Sequence, residues 1–74
     1  MAVTIRPVGM LKTYIGNLTE TVVDPGRSVR QTLADVGVPP ELVALVVVND
    51  VQQDKDYVLS DGDIVRVFAV IGGG

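Results

Sequence analysis

The side chains that most often do chemistry are missing from this sequence, and what remains sits at its end. There is no cysteine and no histidine. Side-chain thiolates, Ser/His/Asp and Cys/His arrangements and the commonest metal ligand are therefore excluded. Asp50, Asp54, Asp56, Asp61 and Asp63 fall in one stretch, but their spacing does not give the alternating oxygen ligands of a calcium-binding loop. Solvated turns and a blunted sheet edge are the expected roles of these carboxylates. Gly72, Gly73 and Gly74 are not a phosphate loop, because neither a lysine nor a helix follows them. No metal and no bound cofactor are expected.

What is left is the α-carboxylate of Gly74, carried on "GGG". Glycine loses the most conformational freedom on ordering and adds no side chain to a core. Such an end is either frayed or an arm that can enter a channel only as wide as a backbone. Fully extended, Ile71 to Gly74 would reach about 13 Å, at roughly 3.3 Å per residue. A carboxylate is a poor electrophile until one oxygen becomes a leaving group, which adenylation by an ATP-dependent partner achieves. The acyl group can then pass to sulfide, giving a thiocarboxylate, or to an amine, giving an isopeptide.

The elements that must position this end are short. "VTIR" at 3–6 alternates apolar and polar residues, as a strand with Val3 and Ile5 on one face. The segment "PVGMLKTYIGN" predicts a loop with one helical turn, closed by Gly16-Asn17. "LTETVVD", rich in β-branched residues and ended by Pro25-Gly26, predicts a second strand. In "SVRQTLADVGVP", Ser28 and Gln31 have the spacing of a capping box. Val29, Leu33 and Val36 lie on one helical face, and Gly37 is placed for a left-handed C-terminal cap. "ALVVVND" at 44–50 predicts a third strand ended by an Asn49-Asp50 turn. A polar crossing segment follows, with one apolar stretch from Tyr57 to Leu59, and then the Asp61-Gly62-Asp63 turn. "IVRVFAVI" is the final strand and runs straight into the glycines.

The chain has 74 residues, of which 47% are hydrophobic, and a formal net charge of −3. One small folded domain at 1–70 is expected, with 71–74 as an arm. The charge has the wrong sign for a phosphate-binding surface. Two tyrosines and one phenylalanine are too few for a base-stacking platform, so no nucleic-acid partner is expected. The N-terminal stretch lacks the apolar core of a signal peptide, and the longest apolar run, Leu42 to Val48, is too short to span a bilayer. A cytoplasmic protein with no membrane partner is expected.

The element order fits an α+β fold: a mixed four- or five-stranded sheet with one main helix across one face, a β-grasp. In the last strand Val65, Val67 and Ala69 share one face, and Arg66, Phe68 and Val70 the other. With Val46 and Val48 toward the helix, Leu45 and Val47 point away from it. Leu45, Val47 and Phe68, flanked by Arg66, are then displayed beside the arm as a candidate partner-binding patch. Cover by the loop at 8–16 or by a second copy is the alternative.

The stretches "VALVVVND" and "DYVLSDGDIV", followed by the terminal glycines, resemble the ThiS/MoaD family of ubiquitin-like sulfur carriers over nearly the whole chain. The longer connection at 8–16 is closer to the MoaD side. The chain departs from the family pattern at the third glycine, Gly72, and at Asp50, where glycine usually completes the turn. The resemblance implies a carrier rather than an enzyme. It implies that Gly74 is the acyl residue, adenylated by a ThiF/MoeB-like enzyme using MgATP and converted to a thiocarboxylate. The sulfur would go to a biosynthetic enzyme such as a pterin synthase large subunit, for molybdopterin or tungstopterin. A thiazole-type carrier, a protein modifier forming isopeptides through Gly74 and a plain interaction module are the alternatives. Phe68 and Val47 match positions on the family's partner-binding face.

Overall fold

The computed structural model describes residues 2–69. Among the described residues there are five strands: β1 (Val3–Pro7), β2 (Thr21–Val23), β3 (Val43–Val48), β4 (Val51–Gln53) and β5 (Ile64–Ala69). They form one mixed sheet in the order β2-β1-β5-β3-β4. The central pair, β1 and β5, is parallel, and all other neighbours are antiparallel. One α-helix, α1 (Val29–Val36), crosses one face. This is the α+β β-grasp arrangement expected from the element order.

Local sequence explains the helix. Ser28 Oγ accepts from the Gln31 backbone N–H, and the Ser28 N–H donates to Gln31 Oε1, both at 3.1 Å. Two of the otherwise free N-terminal donors are thereby satisfied. At the other end Gly37 takes φ +95°, a left-handed cap that a β-carbon disfavours. Val38 then turns back into the core beside Leu33, with its N–H bonded to the Leu33 carbonyl at 2.9 Å.

The core lies between α1 and one face of the sheet. Val3, Ile5, Val46, Val48, Val65 and Val67 supply the sheet side, and Val29 and Leu33 the helix side. Segment 9–15 is a 3-10 helix (Gly9–Ile15) rather than a loop with a single turn. Its Leu11 is fully buried in the same cluster, and Ile15 packs against it. That segment therefore closes the helix side of the sheet.

The strands also differ from the sequence reading in three places. Residues 51–53 pair with β3 as a short edge strand, where a polar crossing was expected. The Asn49-Asp50 turn is thus a two-residue hairpin, with φ +50° and +68°, the geometry whose twist matches the flanking strands. Between Val43 and Leu45 the pairing with β5 shifts by one residue. Val43 is consequently buried and Ala44 exposed, which strict alternation from Val46 would reverse. Finally, the second strand covers only Thr21–Val23 of the "LTETVVD" stretch. The continuation of β5 into Val70 and Ile71, and the expected boundary after residue 70, lie outside the described residues.

Asp63 is not a solvated turn residue. It is 6% exposed, and its carboxylate accepts from Asn49 Nδ2 and from the Ser60 N–H, each at 2.8 Å. Asn49 Oδ1 in turn accepts from the Ile64 N–H at 2.9 Å. This clasp fixes the β3–β4 turn to the start of β5, and so sets the register of the strand that leads to the arm. Asp63→Ala leaves two part-buried donors, Asn49 Nδ2 and the Ser60 N–H, without their acceptor. It is expected to lower unfolding free energy by about 1–3 kcal/mol, read as a lower urea midpoint at unchanged slope.

Candidate functional site

The face of the sheet opposite α1 is built by strand alternation. In β5, Val65 and Val67 are fully buried, while Arg66 and Phe68 turn to the other side and are partly exposed. Ladder register makes Leu45 the direct partner of Phe68, and Val47 the partner of Arg66. The four side chains expected to form a patch are therefore cross-strand neighbours on one face. Directly opposed side chains of this kind pack on one another, consistent with Leu45, Val47 and Phe68 being half-buried rather than fully exposed.

No described element covers this face. Segment 9–15 packs on the helix side through Leu11 and Ile15, which removes it as a cover for the patch. The exposed Ile64 and Val22 extend the apolar character of the face toward β1 and β2. Ile71, Gly72, Gly73 and Gly74 lie outside the described residues. The last described residue of β5, Ala69, pairs with Val43, so Phe68 stands one residue from the point where the glycine-bearing segment follows in sequence.

The aspartates have individual roles. Asp54 Oδ1 accepts from the Asp56 N–H at 2.8 Å, and Asp56 pairs with Arg30 at 3.4 Å. Asp61 Oδ1 accepts from the Ala2 N–H at 2.6 Å, while Gly62 donates its N–H to the Ala2 carbonyl. The Asp-Gly-Asp turn thus ties the start of β1 to the start of β5. Asp50 pairs with Arg66. Among the described residues, no group of three or more acidic side chains is placed to hold a metal ion.

One feature of the face escaped the sequence reading. Arg6 and Arg66 are register partners on the parallel strands β1 and β5, and a shallow depression opens between Arg6, Asn49, Asp50, Ile64 and Arg66. Arg6 also pairs with Glu20, Nε to Oε1 at 3.0 Å. The signal was present: with Val3 and Ile5 inward, Thr4 and Arg6 must point outward. Recognising the pair also required knowing that β1 and β5 are adjacent.

Comparison with known proteins places this geometry. A putative molybdopterin converting factor subunit 1 from Pyrococcus furiosus superposes with a TM-score of 0.70 at 19% identity, covering 96% of this chain and 99% of that one. SAMP1 from Haloferax volcanii gives 0.70 at 19% identity over 100% of both chains. A chain of the complex of subunits 1 and 2 of molybdopterin-converting factor from Helicobacter pylori gives 0.64 at 22% identity, also over 100% of both. At these identities the likeness establishes the fold. No curated protein matches in sequence at a significant level. Among the described residues, no helix is long and apolar enough to cross a membrane. The family model that matches is that of ThiS, and it spans residues 8–74. With nine-tenths of its length matched in this way, the chain belongs to the ThiS family.

Proposed function

We propose that this chain is a sulfur carrier, activated at Gly74 by a ThiF/MoeB-like enzyme, that donates sulfur in cofactor synthesis. The observation that carries the reading is the uncovered face of Leu45 and Val47 on β3 and Phe68 on β5, the last being the strand that precedes the glycines. A partner seated there reaches the end of β5, after which the glycines follow in sequence. A Gly74 carboxylate oxygen attacks the α-phosphorus of MgATP, and pyrophosphate leaves. Sulfide sulfur then attacks the carbonyl carbon, the C–O bond to AMP breaks, and a thiocarboxylate remains. With no cysteine or histidine in the chain, the carried sulfur has no side chain to occupy.

The acceptor that fits best is a pterin synthase large subunit, for molybdopterin or tungstopterin. The Helicobacter pylori structure holds a pair of converting-factor subunits, and one of its chains shares this fold. The test is intact-mass spectrometry of the chain produced with its activating enzyme. Exchange of one oxygen for sulfur, localised to the peptide ending at Gly74, is expected. With no cysteine present, a thiol-alkylating reagent should label that group alone. Recovery of the chain only as isopeptide conjugates would replace the carrier reading with the modifier one. An unaltered carboxylate in the presence of a competent enzyme and ATP would leave an interaction module.

A further inference from the structure

We propose that Arg6 and Arg66 form a socket for a carboxylate side chain of the partner protein, which enters between the two guanidinium groups and displaces Asp50 from Arg66. The proposal rests on the carrier reading above and concerns the chemistry of the surface that docks on the open face. The two arginines are neighbours across the parallel β1–β5 pair, on a chain whose net charge is −3. Like charges on adjacent strands repel, yet both sit at the centre of the uncovered face.

Their present partners reach them from opposite sides. Glu20, just before β2, holds Arg6, and Asp50, from the β3–β4 turn, holds Arg66. The four side chains thus run acid, base, base, acid across the sheet, with the depression lined by Arg6, Asn49, Asp50, Ile64 and Arg66 at this point. A guanidinium has five N–H donors in a planar fork, so one carboxylate contact leaves donors available on each. The Asp50 side chain is 85% exposed, and ion pairs of such exposure contribute little, so the incumbent is readily exchanged.

The surroundings select the kind of partner. Arg66 is the ladder partner of Val47, which lies next to the Leu45–Phe68 pair. An incoming surface must therefore be apolar over Leu45, Val47 and Phe68 and acidic over the arginines. Bringing apolar groups down on the patch also removes water from the ion pairs, which strengthens them. A protein surface carrying an aspartate or glutamate beside an apolar contact meets both demands.

The test is the affinity of this chain for the ThiF/MoeB-like adenylating enzyme from the same genome. It is measured by calorimetry for the wild type, R6Q, R66Q and the double variant, at low and high salt. Each single variant is expected to bind about 10- to 100-fold more weakly, as for loss of a charged hydrogen bond. The double variant should be little worse than either single one, because both arginines hold the same carboxylate. All three should lose part of the wild type's salt dependence. Wild-type affinity in R6Q, or strictly additive losses, would overturn the proposal. Saturable binding of inorganic phosphate by the free chain, abolished in both single variants, would also overturn it by making the pair a phosphate site. Adenylate formation by the wild type is assayed alongside. Its absence sinks the carrier reading, whereas normal adenylation with unaffected variants sinks the socket alone.

Discussion

Phe68→Asp is expected to abolish partner binding while leaving the domain folded, and Val67→Asp, one residue earlier, is expected to unfold it. Phe68 faces away from α1 and packs on Leu45. The substitution removes one cross-strand apolar pair and part of a half-buried ring, a loss of about 1–2 kcal/mol, and leaves the new carboxylate hydrated. In the complex that carboxylate would be held against apolar surface, at several kcal/mol unless paired. Binding should weaken by roughly three orders of magnitude, at about 1.4 kcal/mol per factor of ten. Val67 is fully buried, opposite Val46 on one side and Pro7 on the other. An aspartate there places an unpaired charge at the middle of the core. A domain of this size has only about 4–11 kcal/mol of stability in total, and the burial of one uncompensated charge consumes much of it. Circular dichroism of both variants, with a binding isotherm for the folded one, checks the pair. A folded Val67→Asp beside an unfolded Phe68→Asp would invert the assignment of the two faces.

Deleting Gly73 and Gly74 is the second large effect. Among the described residues, every member of the buried core cluster lies between Val3 and Val67, and glycine contributes no side chain to bury. The unfolding midpoint of the shortened chain should therefore match that of the full one. Activation should fall to background, because the new terminal carboxylate sits two residues short of the adenylating site. Adding one residue after Gly74 should be equally damaging, since the carboxylate is then displaced beyond the site. The measurement is ATP-dependent pyrophosphate exchange with the cognate enzyme. A shortened chain that still supports exchange would remove the arm from the mechanism.

The legible parts of this fold were those specified by residues close in sequence. The helix could be read to its ends because Ser28, Gln31 and Gly37 lie within ten positions of one another and form their own bonds. The inward and outward faces of β5 followed from alternation, and they match the observed burial of Val65 and Val67. The misses arose where a partner strand decides the outcome. Val51, Gln52 and Gln53 carry no alternating pattern because β4 is an edge strand, with only β3 beside it. The two-residue Asn49-Asp50 turn was the available hint. The shift at Val43–Leu45 depends on the register with β5, and a one-residue bulge leaves no trace in apolar spacing. Asp63 read as a surface turn residue because its partners, Asn49 and the Ser60 N–H, meet it only once the hairpin has docked. In the candidate site, Leu45, Val47, Phe68 and Arg66 were found by alternation alone. Arg6 needed the parallel β1–β5 adjacency, which joins residues sixty positions apart.

The placement of β5 also governs when the domain can exist during synthesis. It is the last of the described strands to be made, yet it occupies the middle of the sheet between β1 and β3. Until residues 64–69 are available, β1 with β2 and β3 with β4 are two separate hairpin-like pairs with no ladder joining them. Val65 and Val67, which would cover both halves of the core, are also missing. Cooperative folding is thus deferred until translation has nearly reached the glycines, and a chain cut short within the last strand has no native sheet to fall back on. Any glycine arm of this chain is consequently borne by a domain that has completed its fold. Copies cut short before β5 cannot pair Leu45 with Phe68 or Val47 with Arg66, and so lack the open face of the finished sheet.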